Sequence, residues 1–466
     1  MTLVPLENVL FAVSRSTFWV TDIQTILVGL VGNSACAILG CFLVLRRMSL
    51  LGDAVSHSVL AGIAVAFLIS GTTSIMPMFL GALVAGLLAA FLTQTLHEVG
   101  NVAEDSSMGI VFTSMFAIGV VVISQLGRVH LDTDCVLYGR LDTVSLDTVQ
   151  FAGFLVPHAM LRLVPVLMIV VLFTVVFWKE LKVTSFDPEL ATAMGLSAVV
   201  MHYLLMSMVA TTTVAALHSV GAIVVVAMII VPAATAHLLT DRLISMLIVA
   251  VFCGGISSVL GCLWARWVNS NAAGLMAVVA GVQFGLAVVF APKRGALSQL
   301  IARQKLIFRI VSEDIIAMMY RHAESQAGEK TAKSGAEVAR PGDDAGVSRA
   351  DCLKAAGKRW YGKLAVSQLR RRGFLMENSD GMLFLTERGL DRGRSLVRSH
   401  RLWEAYLDEN FDLPADHLHE PAERFEHYIG PNLQEKLSQS LDRPSRDPHG
   451  RQIPVESPDL PTDETK

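Results

Sequence analysis

The 466 residues carry 38 Lys and Arg against 41 Asp and Glu, a formal charge of -3, and 53% of them are hydrophobic. A mean hydropathy of +0.52 excludes an ordinary soluble chain, and the near-neutral balance excludes a bulk-basic nucleic-acid binder. Long uncharged runs lie before about residue 292 while charged residues crowd the remainder, so two chemically different halves share one chain.

A bilayer core takes about 20 apolar residues per helix. The sequence predicts spans near 25–45, 50–70, 76–96, 108–126, 161–178, 200–217, 220–239, 243–264 and 272–291, an all-α polytopic membrane bundle of eight to nine helices within a domain 1–292. The N-terminal MTLVPLENVLFAVSRSTFWV lacks a basic stretch, an apolar core and a small-residue cleavage site in that order, so no signal peptide is expected. The six cysteines (Cys36, Cys41, Cys135, Cys253, Cys262 and Cys352) form no CxxC pair and mostly lie in apolar runs, where small hydrophobic packing is expected. Arg46, Arg47, Lys179, Lys182, Arg242, Lys293 and Arg294 fall on one side of the arrangement, and only Arg128 and Arg266 on the other. The basic side is cytoplasmic by the positive-inside rule, which sends everything after residue 292 into the cytosol. Small-residue pairs (Gly29 with Gly32, Gly81 with Gly86, Gly254 and Gly255 with Gly261) predict close helix packing.

Within MSLLGDAVSHSVLAGIAVAFLIS, Asp53 and His57 stand at i and i+4 and share one helix face. Ionisable residues inside an apolar span usually line a substrate route, and a carboxylate beside an imidazole suits manganese, iron or zinc. A hydrogen-bonded contact near the headgroups and a proton relay are the competing readings. His218 and His237 flank the seventh span and are weaker path candidates.

Three segments, RRMSLLGDAVSHSVLAGIAVAF, FDPELATAMGLS (186–197) and VGAIVVVAMIIVPAATAHLL (220–239), resemble the permease family of bacterial zinc, manganese and iron ABC importers over roughly 22–292. The resemblance implies that Asp53 and His57 line the metal pathway and that Phe186, Asp187, Pro188, Ala193, Gly195 and Leu196 dock the ATPase. It also implies an extracytoplasmic metal-binding protein and a second permease as partners. Independently, Pro188 is placed to begin a short helix that Gly195 would end. No GxxxxGK[ST] phosphate loop occurs, the nearest text being Gly328-Glu329-Lys330-Thr331, so the chain is expected to have no catalytic residues and to take ATP hydrolysis from another subunit.

In the polar half, residues 303–322 predict an amphipathic helix. Residues 323–347, with Gly328, Gly335, Pro341 and Gly342, predict a flexible linker. Residues 348–393 read as helix, turn, helix and a hairpin turned at Asp380-Gly381, a winged-helix order. Its second helix carries Lys358, Arg359, Lys363, Arg370, Arg371 and Arg372, which could meet phosphates or form an ordinary solvated face. In residues 394–456, His400 and Glu404 are one turn apart, as are His419 and Glu423, with Glu426 and His427 following. Two helices face to face would offer two histidines and a carboxylate to each of two divalent ions.

This cluster and the closing SRDPHGRQIP (445–454) resemble the diphtheria-toxin-repressor and manganese-repressor family over about 303–456. The resemblance implies metal ligation by His400, Glu404, His419, Glu423, Glu426 and His427, with Asp314 completing a site, and implies dimerisation. Ala317 stands where manganese-selective members place a carboxylate, so manganese selectivity does not follow for this site. Residues 457–466 read as a disordered tail. The reading is therefore a permease subunit for a divalent transition metal (manganese, iron or zinc), with a cytoplasmic metal-sensing domain; its rival is a membrane-tethered, metal-responsive DNA-binding regulator.

Overall fold

The computed structural model describes residues 6–48, 51–71, 75–125, 141–151, 154–334, 345–355, 359–411, 414 and 417–455. Arg128, Cys135, Lys358 and the 457–466 tail lie outside them. The chain divides into two compact units, Met1–Gln299 and Leu300–Lys466.

The first unit is a helical bundle: α1 (Leu6–Leu45), α2 (Leu51–Ser70), α3 (Ile75–Gly100), α4 (Glu104–Gln125), α5 (His158–Val176), α6 (Trp178–Phe186), α7 (Pro188–Ala193), α8 (Ala198–Val220), α9 (Ala222–Leu239), α10 (Leu243–Val268) and α11 (Ala272–Phe290). Among the described residues, eight helices are long and apolar enough to cross a membrane, and the apolar stretch of α9, Val224–Leu239, is shorter. Each of the nine sequence-predicted spans thus falls on a helix, with the seventh the short one. Gly221 at φ +89° separates α8 from α9, a backbone angle that L side chains rarely adopt. Between α4 and α5 lie a 3₁₀ turn (Leu141–Leu146) and a hairpin of β1 (Thr148–Phe151) and β2 (Phe154–Pro157), which no sequence signal announced.

Helix α1 packs on α5, α9 and α10, and α2 packs on α3 and α4. Leu39, Phe42, Leu43 and Leu51 are fully buried between them. Glycines set the closest approaches. A Cβ on Gly62 would stand 2.2 Å from the Gly81 carbonyl oxygen, and one on Gly81 2.5 Å from that of Gly62. Gly32 and Gly255, also picked from the sequence, have only ordinary neighbours at 3.7 and 3.6 Å, because spacing along one helix does not say what crosses it. At the end of α1, Arg46 donates to Thr184 Oγ1 (2.8 Å) and Ser185 Oγ (3.2 Å) of α6.

The second unit contains α12 (Ala296–Ser334, entering from the end of the first), β3 (Val347–Ser348), α13 (Arg349–Ala355), α14 (Arg359–Arg371), β4 (Leu375–Glu377), β5 (Met382–Leu385), α15 (Glu387–Asn410), α16 (His419–Phe425), a 3₁₀ turn (Glu426–Tyr428) and α17 (Pro431–Ser440). The antiparallel sheet has the order β3-β5-β4, with Val347 opposite Leu383 and Leu375 opposite Leu385. The wing turns at Gly381, φ +74°, where the sequence placed it.

Three boundaries differ from the sequence reading. Helix α12 begins at Ala296 and continues to Ser334, so 323–334 is helix rather than linker. A lone Gly328 costs a helix only about 1 kcal/mol, which good helix formers around it offset. The helix is also not a separate segment: its Val311, Ile315, Ile316, Met319 and Tyr320 share one core with Cys352, Ala365, Val366, Leu369 and Leu383. Helix α15 runs unbroken through the boundary expected at 393/394, capped by Thr386, whose Oγ1 accepts from Gly389 N at 3.2 Å.

Gly81→Leu is expected to force α2 and α3 apart and destabilise the bundle by at least the roughly 1–3 kcal/mol of overpacking, read as a lowered melting temperature in detergent, whereas Gly255→Ala leaves it unchanged.

Candidate metal centres

The helical period puts Asp53 and His57 on one face of α2, His57 Nε2 lying 3.3 Å from Asp53 Oδ1. Leu51, Ala54, Val55, Ser58 and Val59 bury the remainder of that segment, while the Asp53 and His57 side chains keep 38% and 34% of their surface open. Two phenyl rings from α4 fix the imidazole: Phe112 stacks at 5.6 Å and Phe116 meets it edge-on at 5.7 Å. The pair offers one nitrogen and one carboxylate to an ion and leaves the other coordination positions free. His237 is engaged by Arg294, whose Nη1 lies 3.2 Å from Nε2 and donates to the His237 carbonyl at 2.9 Å. The side chain of His218 lies outside the described set.

The 186–196 loop forms as its residues dictate. Asp187 caps α7, its Oδ1 accepting from Leu190 N at 2.9 Å, Pro188 takes the first helical position, and Gly195 ends the turn at φ +81°. Leu196 N closes back on Ala191 O at 2.9 Å. Phe186, Leu190 and Met194 are exposed around this stub, an apolar knob on a rigid turn. Ala193 is the last helical residue.

The second unit gathers its donors into two groups. On α15, His400 and Glu404 lie a turn apart and buried, and His419 at the start of α16 reaches both: Glu404 Oε1 is 3.0 Å from His400 Nε2 and 3.0 Å from His419 Nδ1. In the second group, His427 Nε2 is 3.1 Å from Asp314 Oδ1 of α12 and 4.0 Å from Glu426 Oε1. Each triad holds its ligand atoms within 4.8 Å of one another. Two imidazoles with a carboxylate, and two carboxylates with an imidazole, both fit a first-row divalent ion. The second set differs from the expected two histidines and a carboxylate because Asp314 arrives from α12.

Glu423 joins neither triad; it is exposed on α16. Two residues that sequence reasoning passed over each touch a member of one triad without belonging to it. Glu313 Oε2 lies 2.9 Å from His427 Nδ1, and His449 Nε2 lies 4.0 Å from Glu404 Oε1. His449 stood in the quoted SRDPHGRQIP, and Glu313 is the neighbour of Asp314, but neither has a second metal-ligating residue one turn away to mark it.

Glu426 links the groups, its Oε2 lying 2.6 Å from His400 Nδ1 and 3.2 Å from Arg321 Nη2. Burial alone would raise Glu404, but the imidazoles of His400 and His419 hold it down to about 2. Burial likewise opposes charge on His427, and the carboxylates of Asp314 and Glu313 outweigh it, lifting it to about 9. The carboxylates around His427 thus favour its protonated form, and an ion bound there would have to displace a proton.

Of the basic residues expected to meet phosphate, Lys363, Arg370 and Arg371 are exposed on α14, and Arg370 pairs with Glu377 of β4. Arg359 begins that helix.

A bundle of apolar helices with an ionisable pair on one of them, followed by a winged helix and two clustered triads, defines a polytopic membrane protein with a repressor-type metal-binding domain. Residues 21–291, more than half of the chain, match the ABC 3 transport family, and the chain belongs to it. Residues 386–455 match the iron dependent repressor, metal binding and dimerisation domain. The manganese transport system membrane protein MntD of Bacillus subtilis is 46% identical over 273 residues, 58% of this chain and 92% of that protein. The zinc transport system membrane protein TroD of Treponema pallidum is 40% identical, over 63% of this chain and 78% of that protein. The solved structure of PsaBC from Streptococcus pneumoniae in complex with Fab is 34% identical, over 58% of this chain and 92% of that one, with a TM-score of 0.50.

Stability should carry the mark of His427. Its charged form is favoured on folding, so in chelator its contribution is complete below the ordinary pKa of 6.5 and disappears as pH rises through about 9. Calorimetry of the metal-free protein is expected to show the second unit's transition falling between pH 7 and 10, with the His427 part of that fall missing in His427→Gln.

Proposed function

We propose that this chain is the permease subunit of an ABC importer for a divalent transition metal, with manganese favoured over zinc and iron. The observation that carries the reading is the Asp53–His57 pair, 3.3 Å apart on the open face of an otherwise buried stretch of α2. Two donors are too few to trap a divalent ion, which suits a transit site, and a second permease across a central path would supply another pair. The MntD relationship favours manganese; the donor chemistry alone admits all three metals. An extracytoplasmic metal-binding protein would deliver the ion, and a separate ATPase would seat on the Phe186–Leu196 stub.

The second unit, which the basic residues around the spans lead us to expect in the cytosol, would sense metal through the two triads, Asp314, Glu426 and His427 in one, His400, Glu404 and His419 in the other, and would dimerise to restrain uptake when metal is abundant. DNA binding is the weaker use of α14, since Arg370 is already held by Glu377; no part of the α7 stub serves that rival.

Manganese uptake by cells making Asp53→Ala or His57→Ala should fall by at least about tenfold, since losing even an outer-shell partner of a metal ligand costs that much, with the protein still in the membrane; uptake at the native rate sinks the transport reading. Loading the cells with manganese should slow uptake by the full chain but not by a chain ending at residue 299. Equal responses of the two would remove the sensor.

A further inference from the structure

We infer that Glu313 is the positioning residue for His427, holding the imidazole so that Nε2 faces the ion; this rests on the reading of Asp314, Glu426 and His427 as a metal site. Glu313 is buried and has no oxygen to spare for a metal. Its Oε2 takes His427 Nδ1 at 2.9 Å, while Oε1 accepts from Arg309 Nε at 3.2 Å and from Arg392. The opposite ring nitrogen, Nε2, is the one left to Asp314 and Glu426.

Successive residues on a helix point about 100° apart, so the adjacent Glu313 and Asp314 of α12 straddle the imidazole, one at each nitrogen. A carboxylate on Nδ1 fixes the tautomer with the proton there and directs the Nε2 lone pair to the metal, as partners of metal-binding histidines generally do. Arg392 on α15 and Arg309, one turn earlier on α12, anchor the carboxylate in turn. Helix α12 thus supplies both a ligand and the group that aims a second ligand.

The test is a Co2+ titration, followed by visible absorption, of the full-length protein in detergent carrying His57→Ala to silence the membrane pair. Glu313→Gln still accepts from Nδ1–H and should bind as the parent does. Glu313→Leu, which cannot accept, should weaken this site about 10- to 100-fold and alter its absorption band, while the His400 triad retains its affinity and reports an intact fold. Parental affinity and band in Glu313→Leu, or equal losses in the Gln and Leu variants, would overturn the positioning role. Unchanged Co2+ binding in His427→Ala would instead overturn the metal-site reading itself.

Discussion

A carboxylate and an imidazole on an apolar helix are tolerated only where they pair with each other or face something other than lipid. That constraint organises the first unit. The face of α2 bearing Asp53, His57 and Leu60 stays partly open, while Leu51, Gly52, Ala54, Val55, Ser58, Val59, Ala61 and Gly62 around it are buried, at Gly62 by backbone lying directly on the backbone of α3. The aromatic rings of Phe112 and Phe116 then limit how the imidazole can turn. The close packing of small residues and the freedom of the polar face are two sides of one arrangement.

The second unit answers the same problem of burying charge by internal pairing. Glu313, Glu404, Glu426, His400 and His427 are all buried, and each has a partner of opposite sign. Such networks are sensitive to the loss of any member, because removing one charge leaves another uncompensated. Glu426 is shared between the two triads through His400, so the groups form one continuous network of carboxylates and imidazoles. The proposed metal-reading function would draw on this charge-balanced core by exchanging its protons for an ion.

Much of this was legible in the residues. Apolar runs of span length gave the bundle, and the one-turn spacings Asp53/His57 and His400/Glu404 gave the first candidate ligands, because both signals are local. The cap and stop residues of the 186–196 stub were readable for the same reason. What escaped were contacts between distant segments: Glu313 and His449 approach their sites only through the packing of α12 and the C-terminal segment, and Glu423, at the right spacing from His419, turns to solvent. The linker drawn from 323 starts as helix as far as Ser334 because a single glycine is a weaker stop than composition implies, its residues 335–344 lying outside the described ones, and one helix runs through the boundary drawn at 393 because a long helix can serve two subdomains.

The central claim is that this chain conducts a divalent metal along the open face of α2 under the power of another subunit. The most direct measurement is manganese accumulation in proteoliposomes containing the chain and its partner ATPase, with and without ATP. The account predicts accumulation that requires ATP and that disappears when Asp53 and His57 are replaced together. Accumulation indifferent to ATP, or undiminished in the double replacement, would contradict it.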